Sequence, residues 1–298
     1  MEQQLTSLGW KNREDFCHYY VFLGVFAAYR EKKLYFPSIS FLPTTYCNLN
    51  CRACLNFTPF AKEFHHRNFD DIKKDLDLFF SVVDYIGFFH VSGGEPLLYP
   101  EIAELLQYIS ERFGKQIYSL QTTTNGTILP SEKLLDVFRT HDITITIDDY
   151  RGALLPEQEK YQEVYDAFAK AAGADHVIQG KYDSWMDLAP DREYPAMTED
   201  ELRAHFDSCR IPWKSYHDGK LYLCNYADYA VAAGIGPVMG EEEYIDFSTY
   251  QKEQDLKSFM EFRMGYSMLG YTQFCKQCAG YTDINPYHVK PAEQVPRR

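Results

Sequence analysis

The chain has 298 residues, 45% of them apolar and 16% aromatic, with a net charge of −13 at pH 7. That is enough apolar material for one large α/β unit, or for a core unit with an appendage. The acidic balance argues against a nucleic-acid substrate, whose phosphates call for a basic surface, and against an anionic membrane surface.

Residues 1–35 read as an N-terminal helical cap. The apolar run at 19–29 is too short to span a bilayer, follows the acidic pair Glu14-Asp15 and shows no cleavage site. It reads as a buried helix, and Cys17 within the cap as an ordinary buried thiol.

From Phe36 onward, strands and helices alternate. Ser38 to Leu42 is a short strand, and Asp70 to Ile86 a helix with Ile72, Leu76, Phe79, Phe80 and Val83 on one face. Phe88 to Val91 is the second strand, and a helix runs from about Pro100 to Phe113. Ile117 to Thr123 is the third strand, a helix follows from about Ser131, and Ile143 to Asp148 alternates with period two. A helix from Pro156 to Ala172 stops at Gly173, and His176 to Gln179 is a fifth strand. This succession predicts an α/β fold, a partial parallel (β/α)6 barrel over residues 36–205, with its chemistry on loops at the C-terminal strand ends.

The polar stretch 180–208 reads as a connection over the site. Beyond Cys209 the rhythm is lost. A hairpin at His217-Asp218-Gly219-Lys220, a Gly-rich stretch, a solvated acidic helix start at Glu241-Glu242-Glu243 and a helix from Asp255 to Met264 follow. Residues 206–298 are expected to form a small C-terminal α+β domain.

Four stretches fall at the C-terminal rim of the barrel. Cys47, Cys51 and Cys54 are spaced so that their thiolates wrap three corners of an iron–sulfur cubane and leave one iron without a protein ligand. A zinc ion with a distant fourth ligand is the rival reading. In Gly93-Gly94-Glu95-Pro96 the glycines allow close backbone approach, and the Glu95 carboxylate or nearby carbonyls suit a ligand ammonium; a plain turn is the alternative. Asn125 ends the third strand. Asp148, with Asp149, ends the fourth and is a candidate catalytic base or substrate contact, a turn-forming pair being the rival. His65-His66-Arg67 reads as a solvated loop. The second cysteine group is Cys209, Cys224, Cys275 and Cys278. Clustered thiols in a chain of this length point to metal ligation in a reducing compartment, hence the cytoplasm, and four of them also suit tetrahedral zinc.

Taken together, the cysteine triplet and Gly93-Gly94-Glu95-Pro96 resemble the signature of the radical S-adenosylmethionine (SAM) enzymes over roughly residues 36–180. The resemblance implies a [4Fe–4S] cluster on Cys47, Cys51 and Cys54, with SAM on the free iron and its amino group near Gly93, Gly94 and Glu95. Thr123-Thr124-Asn125-Gly126 looks like the family's Thr-Asn-Gly ending. Thr146-Ile147-Asp148 looks like its Ser-Ile-Asp strand, which gives the Thr146 hydroxyl a contact with the SAM ribose. The chain departs from many members at Ala53, where an aromatic packs on the adenine; Phe57 is a candidate substitute. The second cysteine group resembles the SPASM and twitch domains. With no cysteines after Cys278, a twitch-like domain with one auxiliary [4Fe–4S] cluster fits better.

The chemistry thereby implied is reductive cleavage of SAM to a 5′-deoxyadenosyl radical that abstracts a substrate hydrogen, driven by a flavodoxin- or ferredoxin-like donor. The preferred reaction is oxidation of a small sugar-like or alcohol substrate, with the auxiliary cluster accepting the electron. Only about 35 residues precede the barrel, which suits a small molecule better than a peptide. Ribosomal peptide modification by crosslinking or epimerisation, the latter with Cys17 as hydrogen donor, and a non-catalytic iron–sulfur carrier are the alternatives.

Overall fold

A computed structural model describes residues 30, 32–210, 213–251, 258, 259, 262 and 269–297. The expected cap with Cys17, and most of the expected helix from Asp255 to Met264, lie outside the described residues.

Five parallel strands follow one another across the sheet in chain order: β1 (Tyr35–Phe41), β2 (Tyr85–Val91), β3 (Ile117–Thr124), β4 (Ile143–Asp148) and β5 (Val177–Gly180). Between them run α1 (Phe69–Val82), α2 (Ile102–Phe113), α3 (Glu132–Thr140) and α4 (Tyr161–Ala172). This is the expected α/β fold. Beyond it come the two-residue β6 (Trp185–Met186) and α5 (Glu199–Ser208). The sixth parallel strand is β7 (Lys214–His217), which pairs with β1 through Ile39↔Lys214 and Ser40↔Ser215. β8 (Lys220–Tyr222) and β9 (Tyr244–Asp246) continue the sheet antiparallel, so no break in it marks residue 205. α6 (Asn225–Ala232) packs beside this extension, and β10 (His288–Val289) pairs with β6.

Period-two alternation gives the sheet two different faces. Phe41, Phe89, Leu120, Ile145 and Ile147 pack against Leu76, Phe79, Leu105, Ile109, Phe138 and Phe168 of the helices. Phe79 is fully buried, with its ring 4.7 Å from that of Tyr216, 5.8 Å from Phe247 and 6.2 Å from Phe89. It thereby joins the barrel helices to the C-terminal strands. On the opposite face Ser40, His90, Gln121 and Thr144 share one row of the register, followed by Thr123 and Thr146. Parallel sheets normally bury apolar residues on both faces. A polar row there marks a surface kept for something other than core.

Two helix limits differ from expectation. α1 ends at Val82 rather than Ile86, because the Asp84 carboxylate accepts the Leu34 N–H at 2.7 Å and turns the chain into β2. The expected helix from Pro156 is a single 3-10 turn, Pro156–Gln158, separated from α4 by Glu159 and Lys160, which leave helical geometry. The Asp218-Gly219 turn is as expected, both residues having positive φ. Among the described residues no helix is long and apolar enough to cross a membrane.

Phe79→Ala is expected to cost about 3–5 kcal/mol by urea denaturation, as large-to-small changes in a full core do. Val238→Ala, at a side chain 87% exposed, is expected to stay within about 0.5 kcal/mol.

Candidate functional site

The loop leaving β1 makes two tight turns, with Cys54 N–H donating to the Cys51 carbonyl at 3.1 Å and Phe57 N–H to that of Cys54 at 2.9 Å. These turns bring Cys47, Cys51 and Cys54 into one pocket with Leu49, Tyr150, Ala292 and Trp185. Burial pushes the Cys51 thiol up to about 12 and that of Cys47 higher still, and the neighbouring thiols add to both. Such a set resists ionisation until a metal centre compensates, and soft sulfur donors suit iron–sulfur clusters. Among the described residues no group of three or more His, Cys, Asp or Glu side chains is already close enough to share a single metal ion.

The Gly-Gly-Glu segment is locked to this loop. Gly94 N–H donates to the Thr44 carbonyl at 3.0 Å, and Glu95 N–H to that of Tyr46 at 2.7 Å. A Cβ on Gly94 would lie 2.2 Å from the Tyr46 carbonyl oxygen. Glycine is therefore required here by contact between two loops. Glu95 is 1% exposed, and its carboxylate accepts the Thr124 hydroxyl at 2.8 Å, the Asn125 N–H at 2.8 Å and the Leu97 N–H at 3.1 Å. Burial pushes its carboxyl up to about 7. The group expected to meet a ligand ammonium is thus turned toward protein donors and ties the β2 loop to the β3 loop. Asn125 in turn braces the cysteine loop, donating to Asn48 Oδ1 at 2.9 Å with its Nδ2 4.0 Å from Cys47 Sγ.

Asp148 and Thr146 share the polar face of β4. Thr146 is half-buried, and its carbonyl accepts the Thr123 hydroxyl at 3.2 Å. The Asp148 carboxylate accepts the Tyr150 hydroxyl at 2.6 Å and the Tyr182 hydroxyl at 3.1 Å, and burial pushes it up to about 6. Asp149 turns away into an ion pair with Arg151 at 2.7 Å. Sequence reasoning missed both tyrosines. A hydroxyl two residues past a strand-end carboxylate was a usable sign for Tyr150; nothing local points to Tyr182.

Three expectations are corrected. Phe57 is 2% exposed, edge-on to Phe274 at 5.6 Å, and has no face free for a nucleoside. In the loop expected to be solvated, His65 and His66 are exposed, with His66 stacked on Tyr46 at 4.4 Å, but the Arg67 side chain is only 13% exposed and ion-pairs with Asp75. Glu243 is 1% exposed, and its carboxylate accepts the N–H groups of Gly240 and Gln273, both at 3.0 Å, which holds the 3-10 turn Gln273–Gln277 that carries Cys275.

The second cysteine group also converges. Burial and the other three thiols all raise Cys224. Backbone N–H groups approach three of the sulfurs: Tyr281 to Cys209 at 3.3 Å, Ala227 to Cys224 at 3.4 Å and Gly280 to Cys278 at 3.3 Å. The Thr272 hydroxyl lies 3.4 Å from Cys275 Sγ. Donors aimed at sulfur support metal-bound thiolates. Four soft sulfur donors are the kind of set that an iron–sulfur cluster or a zinc ion takes.

The Radical SAM superfamily model matches residues 41–175. GTP 3′,8-cyclase 3 of Mycobacterium bovis is 32% identical over 111 residues, 35% of this chain and 29% of that protein. GTP 3′,8-cyclase 1 of Mycobacterium tuberculosis is 29% identical over 140 residues, 45% of this chain and 35% of that protein. The chain therefore spans about a third of the length of these curated relatives. Among solved structures, BtrN in complex with AdoMet and 2-DOIA aligns over 85% of this chain and 98% of its own, with a TM-score of 0.53 and 21% identity, which shows a shared fold.

Two outcomes follow from this geometry. Because the folded Asp148 carboxyl sits near 6 against an ordinary 3.8, its own contribution to the stability of the metal-free protein is fully present below the lower value and is lost as pH rises through the upper one. The loss amounts to at most about 3 kcal/mol, and Asp148→Asn should flatten that part of a denaturation-versus-pH curve. Gly94→Ala should displace the cysteine loop, so that anaerobic reconstitution loads about four fewer irons than in the wild type.

Proposed function

Residues 41–175 belong to the radical SAM superfamily, and from that premise we propose an enzyme that oxidises a small hydroxylated substrate, with a second cluster as electron acceptor. The observation that carries this reading is the three-thiol pocket braced by Gly94, Glu95 and Asn125, beside a separate convergence of four thiols. When bound, the first cluster and SAM supply one-electron chemistry that removes a hydrogen atom from carbon, and the second cluster supplies a sink for the remaining electron.

The chain's own residues hold and orient. Cys47, Cys51 and Cys54 hold the first cluster, and Gly93 and Gly94 bring their backbone against that loop. Thr146 offers a hydroxyl to the ribose of SAM. Ser40, His90, Gln121 and Thr144 offer polar groups for substrate hydroxyls; burial holds His90 down at about 4, so its imidazole is neutral. Oxidation of an alcohol carbon also releases the hydroxyl proton. Asp148, ionised at neutral pH and steadied by Tyr150 and Tyr182, takes that proton on its carboxylate. Cys209, Cys224, Cys275 and Cys278, in a twitch-like region over 206–298, hold the second cluster. A flavodoxin- or ferredoxin-like protein supplies the priming electron.

The test uses a Cys275→Ala/Cys278→Ala variant and a panel of sugars and cyclitols under anaerobic, reducing conditions. The wild type is expected to carry about eight irons and to oxidise a member of the panel, and the variant to keep about four. The variant should still cleave SAM but form oxidised product at least tenfold more slowly. Zinc in place of iron at the second site, or undiminished oxidation by the variant, would remove the acceptor role.

A further inference from the structure

The segment 288–297 crosses the three-cysteine loop as a clasp. It is anchored at one end by the pairing of β10 with β6, and by Lys290 Nζ donating to the Gly152 carbonyl at 2.6 Å. Over the loop, Arg52 N–H donates to the Glu293 carbonyl at 2.7 Å, Val295 N–H to the Asn50 carbonyl at 2.9 Å, and Asn50 Nδ2 to the Val295 carbonyl at 2.8 Å. Farther along, Arg297 donates to the Cys47 carbonyl at 2.6 Å. Apart from the one made by the Asn50 side chain, these bonds over the loop run to its backbone, on both sides of Cys51.

At the centre of the clasp, Gln294 Nε2 lies 3.2 Å from Cys51 Sγ. Its neighbours fix which way the amide points. Oε1 accepts the Asn50 N–H at 2.8 Å, while Nε2 donates to the Ala292 carbonyl at 2.7 Å. With one amide hydrogen on Ala292, the other is left for the sulfur. Ala292 is 0% exposed and has a φ of +54, a conformation that residues other than glycine rarely adopt. Backbone held in such a region persists where the surroundings over-determine it. Here that backbone turn presents the amide of Gln294 to Cys51.

We propose that Gln294 is a positioning residue for the first cluster, donating a hydrogen bond to the Cys51 thiolate and so raising the ease with which that centre accepts an electron. The inference rests on the cluster assignment made above for Cys47, Cys51 and Cys54. Reduction adds negative charge to the cluster and its sulfurs, and a donor to sulfur stabilises the more negative state. The clasp also fixes the register of the loop, so the same residues that hold the loop tune it.

The test is an EPR-monitored redox titration of reconstituted protein, with the first cluster identified by the change that SAM causes in its signal. Gln294→Glu keeps an acceptor for the Asn50 N–H but replaces the donor with an anion. It is expected to load iron like the wild type and to shift the midpoint of the SAM-responsive signal to a more negative potential. Gln294→Leu should shift it in the same direction by less, and neither variant should move the second signal. Iron retained with an unmoved midpoint would overturn the proposal. So would iron lost in Gln294→Leu with an unmoved midpoint in what remains, which would mark bracing alone. A wild type with no SAM-responsive signal would overturn the cluster assignment itself, a failure distinct from the other two.

Discussion

A carboxylate taken out of water is costly unless donors replace its hydration. Glu95 has three donors, drawn from its own turn and from the end of β3, and its backbone N–H reaches the loop after β1. One buried side chain therefore fixes three strand-end loops against each other. The thiol pocket, the Asn125 brace and the contact that excludes a Cβ at Gly94 all depend on it. A site for a large cofactor on mobile loops would lose the positioning that its chemistry needs. Here the loops act as one piece.

The residues past the barrel strands are part of the same construction. β7 adds to the edge of β1, Phe79 packs on Tyr216 and Phe247 from that region, and the Tyr229 hydroxyl donates to Ser40 Oγ at 2.6 Å. Phe57, from the first cysteine loop, packs on Phe274, next to Cys275. Displacing the loop around one group of thiols would strain the packing around the other. An electron passing between the two groups would meet a fixed geometry along the way.

Much of this could be read from local pattern. The cysteine spacing, Gly-Gly-Glu-Pro and the alternation in β4 each involve residues within about ten positions, where period and spacing report directly on geometry. What escaped reading depends on distant partners. α1 stops early because Asp84 meets Leu34, and β7 is four residues of mixed polarity that become a strand only beside β1. Glu243 looks solvated within an acidic run, yet it is buried by a loop thirty positions away. Gln294 reaches Cys51 across 243 positions of chain. Phe57 looked free because an aromatic in a loop carries no sign of what covers it.

The central claim is that Cys47, Cys51 and Cys54 hold a cluster that reduces SAM. The most direct measurement is anaerobic incubation of reconstituted, dithionite-reduced protein with SAM, followed by quantitation of 5′-deoxyadenosine and methionine. The account predicts both products in equal amounts, and neither from a Cys51→Ala variant. Intact SAM in the presence of fully loaded, reduced protein would contradict it.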